Sequence, residues 1–316
     1  MNSEILTILK NADGFCSGEQ LSADIGMSRA AFWKNIQELR KVGYEIEAVT
    51  NVGYRLKTIP DKLFPHEIQH GLKAEFVGQD VRYSETIDST MDEAYRLGSE
   101  GAESGLIVVS ESQTKGRGRM GRSWMSPSGK GVYFSLLLRP KMPLSEVAKM
   151  TLLTAVAVNE AIREVCDVDV QIKWPNDLLI GRKKVAGFLT ELNAEMDQVR
   201  FIVIGVGLNV NTSLSALPDV ATSLKVETGK KVSRARVMQS ILERIESRYV
   251  QAEREGFDGV FEKWKELSMT LGQTVNLKDG ENVYSGRAVD LDSSGGLVIE
   301  TKDGKRQTRW SGDVLV

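Results

Sequence analysis

Apolar residues recur at helical spacing three times before residue 45. A first short run is amphipathic, and the second places its leucine and isoleucine four residues apart. In the third, Phe32, Ile36 and Leu39 form one stripe between a serine that can cap the helix and a glycine that ends it. Two short strands, YEIEAV and GYRLK, follow with a turn between them. This order predicts a winged helix-turn-helix over residues 1–60.

The outer face of that third helix is the predicted DNA-contacting surface, and it offers Ser28, Arg29, Lys34 and Gln37. Residues 1–60 hold seven Lys/Arg and seven Asp/Glu, so no net charge draws the domain to DNA. All but one of the cations fall in the third helix or the hairpin, which favours operator binding. A wing that contacts only protein stays an open alternative. Because one such domain binds DNA weakly, we expect a homodimer on two half-sites.

After residue 60 the pattern of apolar and polar residues changes twice. Residues 61–80 predict a linker with a small helix. Residues 81–267 alternate apolar strands with amphipathic helices, which is typical of an α+β domain built on a mixed sheet. Residues 268–316 contain five short strands separated by KDGEN, DSSGG and KDGK turns. This last pattern predicts an SH3-like β-barrel.

Composition narrows the class of protein. The chain is 41% hydrophobic and 27% charged, as in ordinary globular proteins, and no apolar run approaches the roughly 20 residues of a membrane span. Cys16 and Cys166 are far apart, so we expect neither a disulfide framework nor a zinc site, and a cytoplasmic location. His66 and His70 form HxxxH without a suitable glutamate, and we interpret them as linker residues.

One segment departs strongly from the weak net charge of −2. Residues 111–140 carry six cationic side chains against one acid, and glycines alternate with Arg117, Arg119 and Arg122. Arginine forks and unshielded backbone amides suit clustered anionic oxygens, as in a phosphate or carboxylate. Trp124 follows directly and offers a surface on which a nucleobase can stack. The segment therefore predicts a nucleotide or acyl-phosphate ligand.

Other polar clusters lie in the central domain. Ser89 and Thr90 can cap a helix or donate to a ligand, and both readings stay open. KWPND ends in Asp177, which can hold Mg²⁺ together with substrate phosphates or cap a strand. Lys183 and Lys184 begin a strand, where a lysine could neutralise developing negative charge. The sequence contains no Walker A motif, no GxGxxG spacing and no histidine near a candidate nucleophile, which argues against P-loop, Rossmann and serine-hydrolase chemistry.

Several motifs together resemble one family: DST at 88–90, Gln113, GRGRMGRSW at 116–124, KWPND at 173–177, KKVAG at 183–187 and GVGLNVN at 205–211. The chain is similar to the biotin protein ligases. With its N-terminal domain, it resembles the bifunctional bacterial type, which is both ligase and repressor of the biotin operon. The resemblance spans essentially the full chain and implies a central domain like those of class II aminoacyl-tRNA synthetases.

The resemblance also implies a reaction in two halves. Biotin and ATP, with Mg²⁺, give biotinyl-5′-AMP and pyrophosphate. A lysine of a biotin carboxyl carrier protein then attacks this mixed anhydride and releases AMP. As corepressor, biotinyl-5′-AMP orders the basic loop, residues 114–131, and favours the dimer that binds the operator. The protein's task is mainly positioning and charge stabilisation.

Site residues are carried over from the family motif by motif. Those implied for biotin are Ser89, Thr90, Gln113, Arg117, Arg119 and Lys184. Those implied for the adenylate and phosphates are Gly116, Arg117, Arg119, Arg122, Trp124 and Asn209. Those implied for catalysis are Lys184, Arg119 and Asp177, with Asp177 also on the metal side and Lys183 as the alternative lysine. Met91 stands where many members have a polar residue, so no side-chain hydrogen bond is carried over to it.

Two other functions remain open at this point. A lipoate or octanoate ligase shares the central fold, although such relatives generally lack the arginine loop and the N-terminal domain. A ligand-sensing repressor with little or no ligase activity would keep the binding residues. We expect activity because the implied catalytic residues are intact.

Overall fold

The structure, a computed structural model, describes residues 3–315. The chain divides into two compact units, Met1–Lys62 and Leu63–Val316. The finer boundaries predicted from the sequence, with a linker over 61–80 and a division at 267, stay predictions, and their outermost residues 1, 2 and 316 lie outside the described part.

The first unit contains three helices followed by a two-stranded antiparallel hairpin, in the predicted order. Its elements are α1 (Ser3–Asn11), α2 (Gly18–Asp24), α3 (Arg29–Lys41), β1 (Glu45–Val49) and β2 (Gly53–Thr58). The Ser28 side chain accepts a hydrogen bond from Ala31 N at 3.2 Å and so fixes where α3 begins. Phe32, Ile36 and Leu39 are buried, so α3 turns the predicted stripe inward.

The second unit is built on a seven-stranded sheet in the order β3-β4-β5-β9-β8-β7-β6. Only β3 and β4 pair in parallel, so the sheet is mixed, as predicted. Its strands are β3 (Val81–Ile87), β4 (Ile107–Gln113), β5 (Gly131–Leu138), β6 (Gln171–Lys173), β7 (Asp177–Ile180), β8 (Lys183–Glu195) and β9 (Gln198–Asn209).

Helices cover both faces of this sheet. They are α4 (Pro65–Gln69), α5 (Thr90–Ser99), α6 (Ala148–Cys166), α7 (Leu224–Thr228), α8 (Arg234–Glu255) and α9 (Asp258–Leu267). The main core joins α6, α8 and α9 to alternate strand residues such as Phe134 and Ile204. A smaller core joins α5 to the intervening residues, Leu137 and Val203 among them. Because successive strand residues point to opposite faces, the two cores lie on opposite sides of the sheet.

Local geometry fixes where the two longest helices begin. A 3-10 turn at Leu144–Glu146 precedes α6, which begins at Ala148. The helix α8 begins at Arg234, because the Ser233 side chain accepts from Arg236 N and acts as its cap. None of the helices within residues 3–315 is long and apolar enough to cross a membrane.

The C-terminal strands form a separate antiparallel sheet in the order β13-β12-β11-β10-β14. They are β10 (Thr274–Asp279), β11 (Asn282–Leu291), β12 (Leu297–Glu300), β13 (Arg306–Arg309) and β14 (Asp313–Leu315). Trp174, which is buried, connects this region to the central sheet. Its backbone N donates to Thr270 Oγ1 at 3.0 Å and its indole donates to Gly295 O at 3.4 Å.

A fully buried ion pair and its hydrogen bonds connect four segments of the second unit that are distant in sequence. Arg234 Nη1 lies 2.7 Å from Glu111 Oε2, and both side chains have no solvent exposure. Glu111 Oε1 accepts from Leu63 N at 2.8 Å, and Arg234 also donates to Gly131 O at 3.1 Å. Since each buried charge has several partners, the pair fixes both ends of the segment that carries the arginines.

Candidate active site

A cavity of about 360 Å³ opens between the start of α5, the basic loop, strands β7–β9 and the start of β14. The predicted ligand-contacting residues that line it are Ser89, Thr90, Gln113, Arg117, Arg119, Arg122, Trp124, Asp177 and Lys184. Gly116, Asn209 and Lys183 are not part of the lining. The structure thus brings most of these distant motifs to one place.

One corner of the cavity is polar and buried. Ser89 caps α5, and its hydroxyl accepts from Asp92 N at 3.4 Å. Gln113 Oε1 accepts from Thr90 N at 2.9 Å and from its hydroxyl at 3.1 Å. The Thr90 hydroxyl also lies 2.9 Å from that of Ser135. These mutual bonds hold several donors and acceptors in fixed directions, which suits a planar polar ligand group.

The basic loop is closed on itself by backbone hydrogen bonds. Trp124 N donates to Gly116 O at 2.8 Å, and Gly118 N donates to Arg122 O at 2.7 Å. A Cβ on Gly116 would lie 2.6 Å from Trp124 O, so only glycine permits this approach. Gly116 therefore shapes the loop and does not face the cavity.

Arg117 is held by two carboxylates. Its guanidinium forms a two-pronged contact with Glu191 of β8, at 3.1 and 3.0 Å, and also pairs with Asp92 of α5. Burial disfavours the charged form, but the Glu191 and Asp92 contacts outweigh it and raise the pKa of Arg117. Arg117 thus fastens the loop over the cavity.

Arg119 has a different environment. Its Nη1 donates to two neutral oxygens, Asn176 Oδ1 at 3.2 Å and Gly312 O at 3.4 Å. Among the described residues no carboxylate lies within ion-pair distance of it, and burial lowers the pKa of its guanidinium. Arg122 in contrast pairs with Asp313 of β14. An arginine stays protonated even so, and a half-buried cation with neutral partners favours a bound anion.

The cavity floor consists of glycines beneath an aromatic ring. Gly187 of β8 and Gly207 of β9 are directly paired, and a Cβ on Gly207 would lie 2.4 Å from the Trp124 ring. Lys184 Nζ lies 5.2 Å from the centre of that ring. The Trp124 indole N–H is buried and has no hydrogen-bond partner in the described part of the chain. The site therefore offers both a stacking surface and an unused donor.

Lys184 also lies beside Asp177. The distance from Lys184 Nζ to Asp177 Oδ1 is 2.6 Å, although the geometry is that of an ion contact and not of a hydrogen bond. Lys183, the alternative lysine, is exposed. Asn209 is buried at the end of β9, opposite Gly131.

The predicted DNA-contacting residues belong to the first unit. Ser28 uses its hydroxyl as the cap of α3, and Arg29 pairs with Glu19 at 2.6 Å. Lys34 is exposed, with no carboxylate of the described residues within ion-pair distance, and Gln37 is half-buried.

Of the two histidines, His66 of α4 lies 3.4 Å from a glutamate, and residues 3–315 contain no cluster of three or more metal-ligating side chains.

Sequence reasoning missed several residues at the cavity. Asp313 and Glu191 pair with loop arginines, yet they lie far from them in the chain and carried no local signal. Asn176, within KWPND, and Gly205, within GVGLNVN, also line the cavity, although no role was predicted for either. Met91 lines it too, although the resemblance implied no hydrogen bond for its side chain.

Comparison with known protein families covers all three regions of the chain. Residues 83–209 match the Biotin/lipoate A/B protein ligase family, residues 2–55 match an HTH domain, and residues 270–316 match the Biotin protein ligase C terminal domain. The bifunctional ligase/repressor BirA of Bacillus subtilis is 43% identical over 95% of this chain and 93% of its own length. The chain belongs to the biotin protein ligase family.

More distant relatives agree. BirA of Escherichia coli K12 is 30% identical over 98% of this chain and 95% of its own length. The solved biotin protein ligase from Aquifex aeolicus in complex with biotin and ATP superposes with a TM-score of 0.65, at 32% identity, over 75% of this chain and 98% of that chain. The predicted family, enzyme class and N-terminal helix-turn-helix are therefore confirmed, as are a central mixed sheet and a C-terminal sheet.

Proposed function

We propose that this chain joins biotin and ATP to form biotinyl-5′-AMP and pyrophosphate, and then transfers biotin to a lysine of a biotin carboxyl carrier protein. The biotin carboxylate attacks the α-phosphorus and pyrophosphate leaves. The lysine amine then attacks the anhydride carbonyl and AMP leaves. Family membership supports the ligase class, and the geometry of the cavity supports this substrate pair.

The observation that carries the proposal is the environment of Arg119. Its guanidinium meets only neutral oxygens within the described chain, and its side chain lines the same cavity as the polar corner and the Trp124 ring. An anion bound beside Arg119 can pair with this partly desolvated cation without displacing a carboxylate of the protein. That position suits the carboxylate and α-phosphate that must meet in the first half-reaction.

The remaining roles follow from position. Ser89, Thr90 and Gln113 hold the biotin ureido group, because they supply fixed donors and acceptors. Trp124 stacks on adenine above the glycine floor. Arg117 and Arg122 contact the carboxylate and phosphates after their present carboxylate partners are exchanged.

Two residues with proposed ligand roles, Gly116 and Asn209, do not line the cavity. Gly116 contributes through the loop shape it permits. Asn209 is buried and lies outside the cavity lining, so its contact with the adenine edge requires a local rearrangement at the end of β9.

Lys184 is the proposed catalytic lysine, since it lines the cavity and Lys183 does not. Its ammonium stabilises negative charge on the reacting carboxylate and phosphate. Asp177 fits a metal-side role because its carboxylate lines the cavity, where its Oδ1 makes an ion contact with Lys184. Mg²⁺ bound there would neutralise phosphate charge, in the usual arrangement of one or two carboxylates with substrate oxygens.

The regulatory half of the proposal concerns the first unit. A biotinyl-5′-AMP-bound homodimer would bind operator DNA through α3 and its capping residue, by Ser28, Arg29, Lys34 and Gln37, and repress biotin genes. The helix-turn-helix and the named relatives support this. The synthetase-like class of the central sheet and the SH3-like class of the C-terminal sheet belong to the same proposal.

The test is a mass measurement on a biotin carboxyl carrier domain incubated with the chain, biotin and Mg-ATP. We expect a gain of one biotin, lost in Lys184→Ala and kept in Lys183→Ala, the exposed neighbour that serves as matched control. No gain together with tight biotin binding would point to a sensor without ligase activity. Modification with lipoate or octanoate in place of biotin would point to the other ligase class.

A further inference from the structure

Met91 lies at the boundary between the polar corner and the apolar part of the cavity. It follows Thr90 directly in the first turn of α5, is only 4% exposed, and lines the cavity. Gly205 of β9, the residue next to the Met91 side chain, also lines the cavity. In the sheet, Gly205 lies between Ser135 of β5 and Leu189 of β8.

The thioether of Met91 rests directly on the Gly205 backbone. A Cβ built on Gly205 would lie 2.6 Å from Met91 Sδ and 2.9 Å from its Cγ, distances that no real contact adopts. The other neighbours of Met91 belong to the closely packed core between α5 and the sheet, with Ala94, Val108 and Leu137 all buried. Because such cores have little free volume, a displaced Met91 side chain can move only into the cavity.

This position determines what Met91 can contact. If the polar corner holds the ureido group, the adjacent wall must touch the sulfur-containing ring fused to it. A flexible, polarisable thioether suits such an apolar, sulfur-containing surface. We propose that Met91, supported by Gly205, is a specificity-determining residue that sets the width of the pocket for the bicyclic ring of biotin. This inference rests on the proposed function of the site.

Gly205→Ala is the decisive variant. The new Cβ displaces Met91, while its nearest backbone atom, Leu189 O, lies at 3.6 Å in ordinary contact. We expect the KM for biotin to rise about 10-fold or more, the size of effect that one methylene has in an apolar pocket. The KM for ATP should not change. Desthiobiotin, which lacks the sulfur bridge, should be penalised less, so the biotin-to-desthiobiotin ratio of kcat/KM falls.

The double variant Met91→Ala/Gly205→Ala should recover most of the lost affinity, because the displaced side chain is gone. Gly259→Ala is the matched control, since its Cβ meets only Gln251 at 3.8 Å, away from the cavity. Biotin-dependent ATP–pyrophosphate exchange gives the KM values, and circular dichroism checks folding. If Gly205→Ala does not fold, Met91→Ala alone must lower the biotin-to-desthiobiotin ratio.

The outcomes distinguish failure of the proposed function from failure of the Met91 inference. An unsubstituted chain without biotin-dependent exchange overturns the proposed function and this inference together. An active unsubstituted chain whose Gly205→Ala variant keeps its biotin KM, raises both KM values equally, or is not rescued by Met91→Ala overturns the inference alone.

Discussion

Two regions of this molecule carry many cations, and they differ in what those cations contact. In the first unit, Arg29 pairs with Glu19 on the surface, where both side chains are about three-quarters exposed. In the basic loop of the second unit, Arg117 pairs with Glu191 and both are only one-third exposed. Exposed pairs contribute little to stability, whereas a partly buried pair restricts the backbone that carries it until a ligand replaces one partner.

Each region also contains a cation without a carboxylate partner in the described residues. Lys34 of α3 is exposed, and Arg119 of the loop is partly buried between neutral oxygens. Salt and water screen the first, but the second acts at short range in a medium that screens it weakly. The number of carboxylates beside each basic residue is therefore a better indicator of an anion site than the density of basic residues.

The largest effect should come from Arg119→Ala. We expect biotin-dependent ATP–pyrophosphate exchange to fall roughly 100-fold or more, as when one preorganised donor to a developing charge is removed. The same assay on Arg122→Ala is the comparison. Equal losses in the two variants would contradict the distinction between paired and unpaired cations.

Next in size is Lys34→Ala. We expect weaker binding to a duplex that the unsubstituted chain selects, with the salt dependence reduced by about one unit of slope, as for one lost phosphate contact. Lys41→Ala is the matched control on the same helix, because Lys41 already pairs with Glu38 at 2.8 Å. An unchanged slope for Lys34→Ala would remove α3 from the DNA interface.

A smaller and opposite effect is expected from Asp313→Asn. This change removes the carboxylate that occupies Arg122, so the free guanidinium should bind ATP phosphates more readily and lower the KM for ATP a few-fold. Steady-state kinetics at fixed biotin measures it. A higher KM would mean that Asp313 positions Arg122 for the nucleotide instead of competing with it.

The smallest effect should be that of Arg29→Ala. Arg29 must leave Glu19 to contact DNA, so the free energy gained from the DNA contact is nearly offset by the loss of this ion pair. We therefore expect a smaller change in DNA affinity than for Lys34→Ala, within the roughly 0–1 kcal/mol of an exposed pair. Glu19→Gln tests the same point from the other side and should strengthen DNA binding. A loss for Arg29→Ala larger than that for Lys34→Ala would reverse the comparison.

Much of the fold could be predicted because its signals are local. Ser28 and the stripe at Phe32, Ile36 and Leu39 define α3 within a single stretch of sequence. The helix α9 was not predicted, although Val260, Trp264 and Leu267 have readable helical spacing and are buried. The spacing of these three apolar residues is itself enough to indicate the helix.

The site was less accessible to sequence reasoning. Motifs suggested the arginines, Lys184 and Trp124 one by one, and their roles stay predictions. Nothing local indicated that Asp313, 191 residues from Arg122, would be its partner. Such pairings arise only when the C-terminal sheet and the loop meet in three dimensions, and they decide which cation remains available.

The buried contact between Leu63 and Glu111 has a consequence for truncation. A fragment that begins after Leu63 lacks the amide that bonds Glu111 Oε1, and leaves that oxygen of a fully buried carboxylate without this donor. Losing such a partner costs about 1–3 kcal/mol, and more for a charged group. Removal of the DNA-binding unit by cleavage therefore spares the catalytic unit only if the cut falls on the N-terminal side of Leu63. A protease site placed a few residues later would release the first unit and also destabilise the second.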